Sequence, residues 1–161
     1  MNILLIDDDG DCLDGLATAL EPAGNRCDKF TAPGEAVEAY QQNQYDVVIT
    51  DMKMPGMNGI QVLKKIRSLN PEAKVIINTG YGDVDTAIAA VNNGAYAFFG
   101  KPIDLADLME TLEKIEREIG GKKRAEFEHA RLAMEYARLK QAYEDLAKAI
   151  EEKRRQIRGT M

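Results

Sequence analysis

Five short apolar runs punctuate the first part of the chain, at residues 2–6, 26–30, 46–50, 74–78 and 95–99. Each is about five residues long, the ordinary length of a β-strand. Three of them are largely apolar and rich in valine and isoleucine, which predicts strands buried on both faces. Between the runs the apolar positions change to helical spacing. Leu13, Leu16, Ala17 and Leu20 make one stripe, Ala36, Val37 and Tyr40 a second, and Ile60, Leu63 and Ile66 a third. Ala87, Ile88 and Val91 make a fourth, and Leu105, Leu108, Leu112 and Ile115 a fifth.

The punctuating residues agree with these elements. Gly24 follows the first helix, Pro33 opens the second, Gly94 ends the fourth, and Asp104 can cap the fifth. The order is strand–helix repeated five times, which implies a parallel sheet with helices on both faces. Five units in about 120 residues fit a flavodoxin-like doubly wound α/β fold of five strands and five helices. The strand order 2-1-3-4-5 is expected because it is that of the fold class.

From Leu132 the pattern changes again. Leu132, Leu139 and Leu146 recur every seven residues, with Lys153 next, while Tyr136, Tyr143, Ile150 and Ile157 fill the alternate positions. This 3,4 alternation predicts a coiled coil, with a lone amphipathic helix packed back on the domain as the alternative. The stripe of the fifth helix does not continue in this phase, and the break falls near Gly120-Gly121, where a bend, an unwound turn or a joint is expected. The expected division is a domain at 1–119 and a coiled-coil dimerisation or output helix at 120–161, with residues 122–157 pairing two copies as a homodimer.

Composition narrows the class. The 161 residues are 45% hydrophobic and 30% charged, as in a soluble globular protein. No apolar run is long enough to span a bilayer, and the first residues lack the basic start of a signal peptide. No membrane association is therefore expected. Cys12 and Cys27 show neither metal nor redox spacing, so reduced thiols and a cytoplasmic location are expected. The net charge of −6 is uneven: residues 122–158 hold eleven Lys/Arg and seven Asp/Glu, and the rest of the chain ten against twenty. An acidic body suits nucleic acid poorly, and a tail reading as one helix leaves no room for a helix-turn-helix, so direct DNA binding is not expected.

In doubly wound sheets function lies at the carboxyl ends of the strands. Asp7, Asp8 and Asp9 follow the first strand, Asp51 the third, Thr79 and Gly80 the fourth, and Lys101 and Pro102 the fifth. Carboxylates brought together repel unless a cation joins them, and all-oxygen ligands suit Mg²⁺. A carboxylate can also be a nucleophile that forms an acyl phosphate. Phosphoryl transfer asks for in-line placement and positive charge near the equatorial oxygens, which Mg²⁺, Lys101 and the Thr79 hydroxyl can provide.

The blocks ILLIDDD, VVITDMKMPGMNG, INTGYGD and FFGKP closely resemble the four signature blocks of response-regulator receiver domains, over residues 2 to about 118. The resemblance implies that Asp51 accepts a phosphoryl group from a sensor histidine kinase. It implies that Asp7, Asp8 and Asp51 hold Mg²⁺ with the backbone carbonyl of Lys53, and that Thr79 and Lys101 bind the phosphoryl group. Pro102 would follow a cis peptide. Phe98 would be an aromatic switch that turns inward with Thr79, although an aromatic residue ending an apolar run also suits a core position. The output implied is the face of helix 4, strand 5 and helix 5, acting on the coil or on a downstream protein partner. Asp9 is given no definite role, and the turn formers Pro55-Gly56-Met57-Asn58-Gly59 are expected to shape the loop after Asp51 without taking part in chemistry.

Two other readings stand beside this one. Phosphohydrolases with an aspartyl-phosphate intermediate share the layout, but they carry a second Asp two positions after the nucleophile, where this chain has Lys53. Only self-phosphorylation from a donor and self-dephosphorylation are therefore expected, not turnover of external substrates. The other is a pseudo-receiver scaffold that is never phosphorylated, against which the intact set of side chains counts. His129, the single histidine, lies in a sequence unlike a kinase phosphoacceptor motif.

Overall fold

The computed structural model describes residues 1–80 and 84–159, apart from the side chains of Val84 and of residues 156–159. Tyr81, Gly82 and Asp83 of the third block, and the side chain of Ile157, lie outside the described residues. The strands are β1 (Asn2–Ile6), β2 (Arg26–Phe30), β3 (Val47–Asp51), β4 (Val75–Thr79) and β5 (Ala97–Gly100). They form one parallel sheet in the order β2-β1-β3-β4-β5. The helices are α1 (Gly10–Leu20), α2 (Pro33–Gln42), α3 (Gly59–Leu69), α4 (Val84–Asn92) and α5 (Leu105–Gly159). This is the flavodoxin-like doubly wound architecture that the alternating pattern predicts.

The three inner strands are buried along almost their whole length, whereas β2 and β5 are partly exposed edges. On one face Leu4, Ile6, Val48, Val75 and Ile77 pack with Val62, Leu63 and Ile66 of α3. Strand alternation sends Ile3, Leu5, Ile49 and Ile76 to the opposite face. There Leu13, Ala17 and Leu20 of α1 and Leu108, Leu112 and Ile115 of α5 are buried.

Helix ends are fixed by local chemistry. The Asp9 side chain caps α1 by accepting from the N–H groups of Asp11 and Cys12, which gives this third aspartate a structural role. Asn58 and Gln61 cap α3 reciprocally, each side chain accepting from the other residue's backbone N–H. Asp104 accepts from the Ala106 N–H at 2.8 Å at the start of α5. Gly24 and Gly94 turn the chain with φ of 82° and 81°, values that disfavour any residue with a Cβ.

Two features differ from the pattern-based expectation. Strands β3, β4 and β5 each run one residue further, because the ladder pairs Asp51 with Asn78 and Thr79 with Gly100. Asp51 and Thr79 are thus the last residues of their strands rather than the first of the loops. The fourth stripe is also misread. Among the described residues of α4 the buried one is Ala90, while Ile88 and Val91 are 52% and 66% exposed. Short helices with few polar positions give no unique apolar face, and here a small residue packs where larger ones were expected.

By its internal contacts the chain divides into two compact units, Met1–Arg117 and Glu118–Met161. The second is helical through residue 159, without an interruption at Gly120-Gly121. Among its described residues Leu132, Tyr136, Leu139, Tyr143, Leu146 and Ile150 are large apolar side chains left exposed. Among the described residues no helix is long and apolar enough to cross a membrane.

Candidate functional site

The carboxyl edge of the sheet gathers Asp7 and Asp8 after β1, Asp51 at the end of β3, Thr79 at the end of β4 and Lys101 after β5. One carboxylate oxygen from each of Asp7, Asp8 and Asp51 lies within 4.8 Å of the others. Asp7 and Asp51 are buried and Asp8 is exposed, so the cluster has two fixed members and one at the rim. Three oxygen donors at that spacing fit a hard divalent cation that keeps water or phosphate oxygens in its remaining positions.

Lys101 reaches into this cluster. Its Nζ donates to Asp7 Oδ2 at 2.6 Å and pairs with Asp51 Oδ1 at 2.9 Å. Burial pulls its ammonium towards the neutral form, but the hydrogen bonds and charges of Asp7 and Asp51 outweigh this and hold its pKa above the ordinary lysine value. The ammonium is therefore a permanent positive charge between the two buried carboxylates. The Lys101-Pro102 peptide is cis. The Lys101 backbone N–H donates to the Thr79 carbonyl at 2.7 Å, which ties the loop after β5 to the end of β4.

Asp51 is oriented by its own loop. The Lys53 N–H donates to Asp51 Oδ2 at 2.8 Å, while the Lys53 side chain is exposed. Asp7 accepts from the Asp9 N–H at 3.0 Å in the same manner. Both carboxylates are thus held by a backbone amide two residues on, an Asx turn at each strand end. Thr79 is fully buried.

Phe98 is half-buried against the α2–α3 core. It pairs with Ile77, two residues before Thr79, so strand alternation puts Phe98 and Thr79 on the same face of adjacent strands.

One residue with a direct bearing on the site lies among the presumed turn formers. A Cβ at Gly59 would stand 2.5 Å from the backbone oxygen of Asp51 and 3.0 Å from the Cα of Met52. The Gly59 N–H donates to the Met52 carbonyl at 2.9 Å. The first residue of α3 therefore rests on the backbone that carries Asp51, and only glycine fits. The signal was present in the Asn-Gly pair with Gln61 two residues on, which marks a capped helix start. The close approach itself depends on where α3 packs. Gly80 is different: a Cβ there would meet nothing within 4 Å, so the space around it does not depend on glycine.

A family model described as the response regulator receiver domain matches residues 3–113. The chain belongs to that family. The receiver is 34% identical over 117 residues to the C4-dicarboxylate transport transcriptional regulatory protein DctD of Rhizobium meliloti, covering 73% of this chain and 25% of that protein. The chain thus spans about a quarter of the length of that curated relative. A receiver domain from Clostridium thermocellum superposes with a TM-score of 0.68 at 38% identity, covering 76% of this chain and 96% of that one. The beryllofluoride-activated NtrC4 receiver domain dimer superposes with a TM-score of 0.69 at 30% identity, covering 73% and 97%.

Proposed function

We propose that this receiver accepts a phosphoryl group on Asp51 from the phosphohistidine of a sensor kinase and passes the event on as a change of surface. The observation that carries the reading is the bridge of Lys101 between Asp7 and Asp51 at 2.6 and 2.9 Å. It holds a carboxylate nucleophile fixed and next to a positive charge. Asp51 Oδ attacks phosphorus, the P–N bond to the donor imidazole breaks, and the imidazole leaves with the electron pair. Mg²⁺, when held by Asp7, Asp8, Asp51 and the Lys53 carbonyl, supplies positive charge to the phosphoryl oxygens. Lys101 exchanges part of its contact with Asp51 for the new phosphoryl oxygens. The Thr79 hydroxyl donates to the same group, and Phe98, on the same face, follows into the space that Thr79 vacates.

The output surface in this reading is the face formed by α4, β5 and the first turns of α5. Its support is the exposed pair Ile88 and Val91, two large apolar side chains on a short helix, where a protein partner can cover them. The tail serves as a homodimer contact. Leu132, Tyr136, Leu139, Tyr143, Leu146 and Ile150 share a 3,4 spacing and are all exposed in the single chain, which favours pairing with a second copy. The free thiols of Cys12 and Cys27 suit a cytoplasmic protein. The chain acts as a phosphorylated signal carrier that dephosphorylates itself, without turnover of an external substrate.

The deciding experiment is labelling by acetyl phosphate in the presence of Mg²⁺, read by intact-protein mass. The wild-type chain should gain one phosphoryl group, Asp51→Asn none, and the double change Asp7→Asn with Asp8→Asn should lose the metal dependence. Full labelling of Asp51→Asn would overturn the assignment.

A further inference from the structure

Beside Asp51 a cavity of about 550 Å³ opens between α1 and the loop that leads into α5. Its walls are mainly apolar, with Ile49 from the sheet, Leu13 and Leu16 from α1, and Ile103 after the cis proline. The room comes from small residues. Gly15 and Ala19 stand one helical turn apart on the α1 wall, and a Cβ at Gly15 would meet nothing within 4 Å. Larger residues there would close the gap.

The floor carries an unmet polar group. Asn78 pairs with Asp51 in the β3–β4 ladder, so the two side chains leave the sheet on the same face. Asn78 is 8% exposed and lines the cavity, and its Oδ1 is buried without a hydrogen-bond partner. Buried acceptors left in this state are rare, and each costs stability until a donor reaches it. The charged residues at the same end, Asp7, Asp51 and Lys101, are already paired with one another. An anion entering the cavity would face two carboxylates, and the place for a cation is the Asp7, Asp8 and Asp51 cluster already described rather than the apolar room beside it.

We propose that this cavity binds a small uncharged molecule with an apolar body and one N–H or O–H donor, which bonds to Asn78 Oδ1. Each part of the description follows from a wall. The apolar body matches Leu13, Leu16, Ile49 and Ile103. The donor is required because Oδ1 can only accept. Neutrality follows from the mutually paired charges. Binding also places the molecule against Pro102, next to Lys101, so occupancy is coupled to the residue that holds Asp51. That coupling rests on the function proposed above, whereas the binding does not.

The test is a titration of the isotope-labelled full chain with indole and with N-methylindole, followed by amide chemical shifts without phosphodonor. Indole carries the donor, and its methylated form has the same body without it. Indole should give saturable shifts at the Asn78 carboxamide and at the backbone amides of Gly15 and Ile103. N-methylindole should bind about tenfold more weakly, the worth of one hydrogen bond to a buried acceptor. Asn78→Leu should bind the two alike. Gly15→Leu takes up part of the cavity from the α1 wall and should weaken binding of both while keeping the sheet's amide spectrum. Equal affinity for the two compounds in the wild-type chain would overturn the proposal. So would undiminished binding by Gly15→Leu, or an absence of saturable shifts up to the solubility of indole, which would mark a cavity filled by water only. If Asn78→Leu does not fold, the two compounds on the wild-type chain and Gly15→Leu still decide. Loss of Asp51 labelling with indole binding intact would refute the function and leave this site standing.

Discussion

Helix α5 carries two apolar stripes of the same chemistry with opposite fates. In the first compact unit Leu108, Leu112 and Ile115 are buried, each at no more than 1% exposure. In the second unit Leu132 is 53% exposed and Leu139 is 70% exposed. The leucines and isoleucines are the same in both, with two tyrosines added in the second, and the difference is what faces them. The first stripe meets a sheet whose side chains alternate to receive it. The second keeps a heptad spacing up to Lys153, and among the described residues of its unit nothing buries it. Apolar burial near 25 cal/mol per Å² stabilises the first stripe within its own unit and does nothing for the second while it stays exposed. The receiver unit supplies the contacts of its own stripe, whereas the tail unit leaves its stripe exposed.

Leu112→Ala gives the largest expected effect. It leaves a cavity under the sheet and should cost about 2–5 kcal/mol, seen as a lower urea midpoint that is the same at every protein concentration. Leu139→Ala should leave the receiver's unfolding transition in place and shift only association, weakening the dimer about tenfold or more in sedimentation experiments. A Leu139→Ala chain whose receiver loses as much stability as Leu112→Ala would break the comparison, and so would a wild-type chain that is monomeric at micromolar concentration.

Gly59→Ala should act wholly within the receiver. The added methyl presses on the backbone of Asp51 and should cost about 1–3 kcal/mol, with the backbone amide shifts of Asp51 and Met52 displaced most. Equal stability of the alanine variant would show that α3 can back away without consequence.

The smallest effect concerns Tyr45. Burial first, and then its 2.8 Å hydrogen bond to Asp28, push the phenol up to about 12. The unfolded phenol ionises near its ordinary value of 10.0 and the folded one does not. Between those values the folded state binds more protons, so stability falls as pH rises from 10 towards 12. Tyr45→Phe should cost about 1 kcal/mol at neutral pH and remove that part of the alkaline slope. Urea midpoints of both chains across that range test it.

Most of the site was legible in the sequence because it sits at strand ends, and strand ends are marked by abrupt loss of apolar residues. Asp7, Asp51, Thr79 and Lys101 were each found this way; the structure puts Asp7, Asp51 and Lys101 in direct contact, and Thr79 ends the adjoining strand with its carbonyl accepting from the Lys101 N–H. What escaped the sequence was tertiary. Gly59 looked like one turn former among several, since its tight approach to Asp51 exists only once α3 is packed. The outward turn of Ile88 and Val91 escaped because a nine-residue helix holding six apolar residues offers several faces of similar merit. Asn78 read as the end of an apolar strand, and nothing in its neighbours announced a cavity above it. The heptad phase change near Gly120-Gly121 suggested a bend, an unwound turn or a joint, and of these the unwound turn is absent, since both glycines are helical.

That uninterrupted passage has an energetic consequence. Each glycine in a helix interior is about 0.8–1.0 kcal/mol less favourable than alanine, and two stand side by side here. Local opening should therefore begin at this pair. In hydrogen–deuterium exchange the amides within one turn of Gly120 and Gly121 should lose protection before those at Leu112 or Leu139 on either side. Replacing both glycines by alanine should close that early-exchanging window without changing any contact in the sheet.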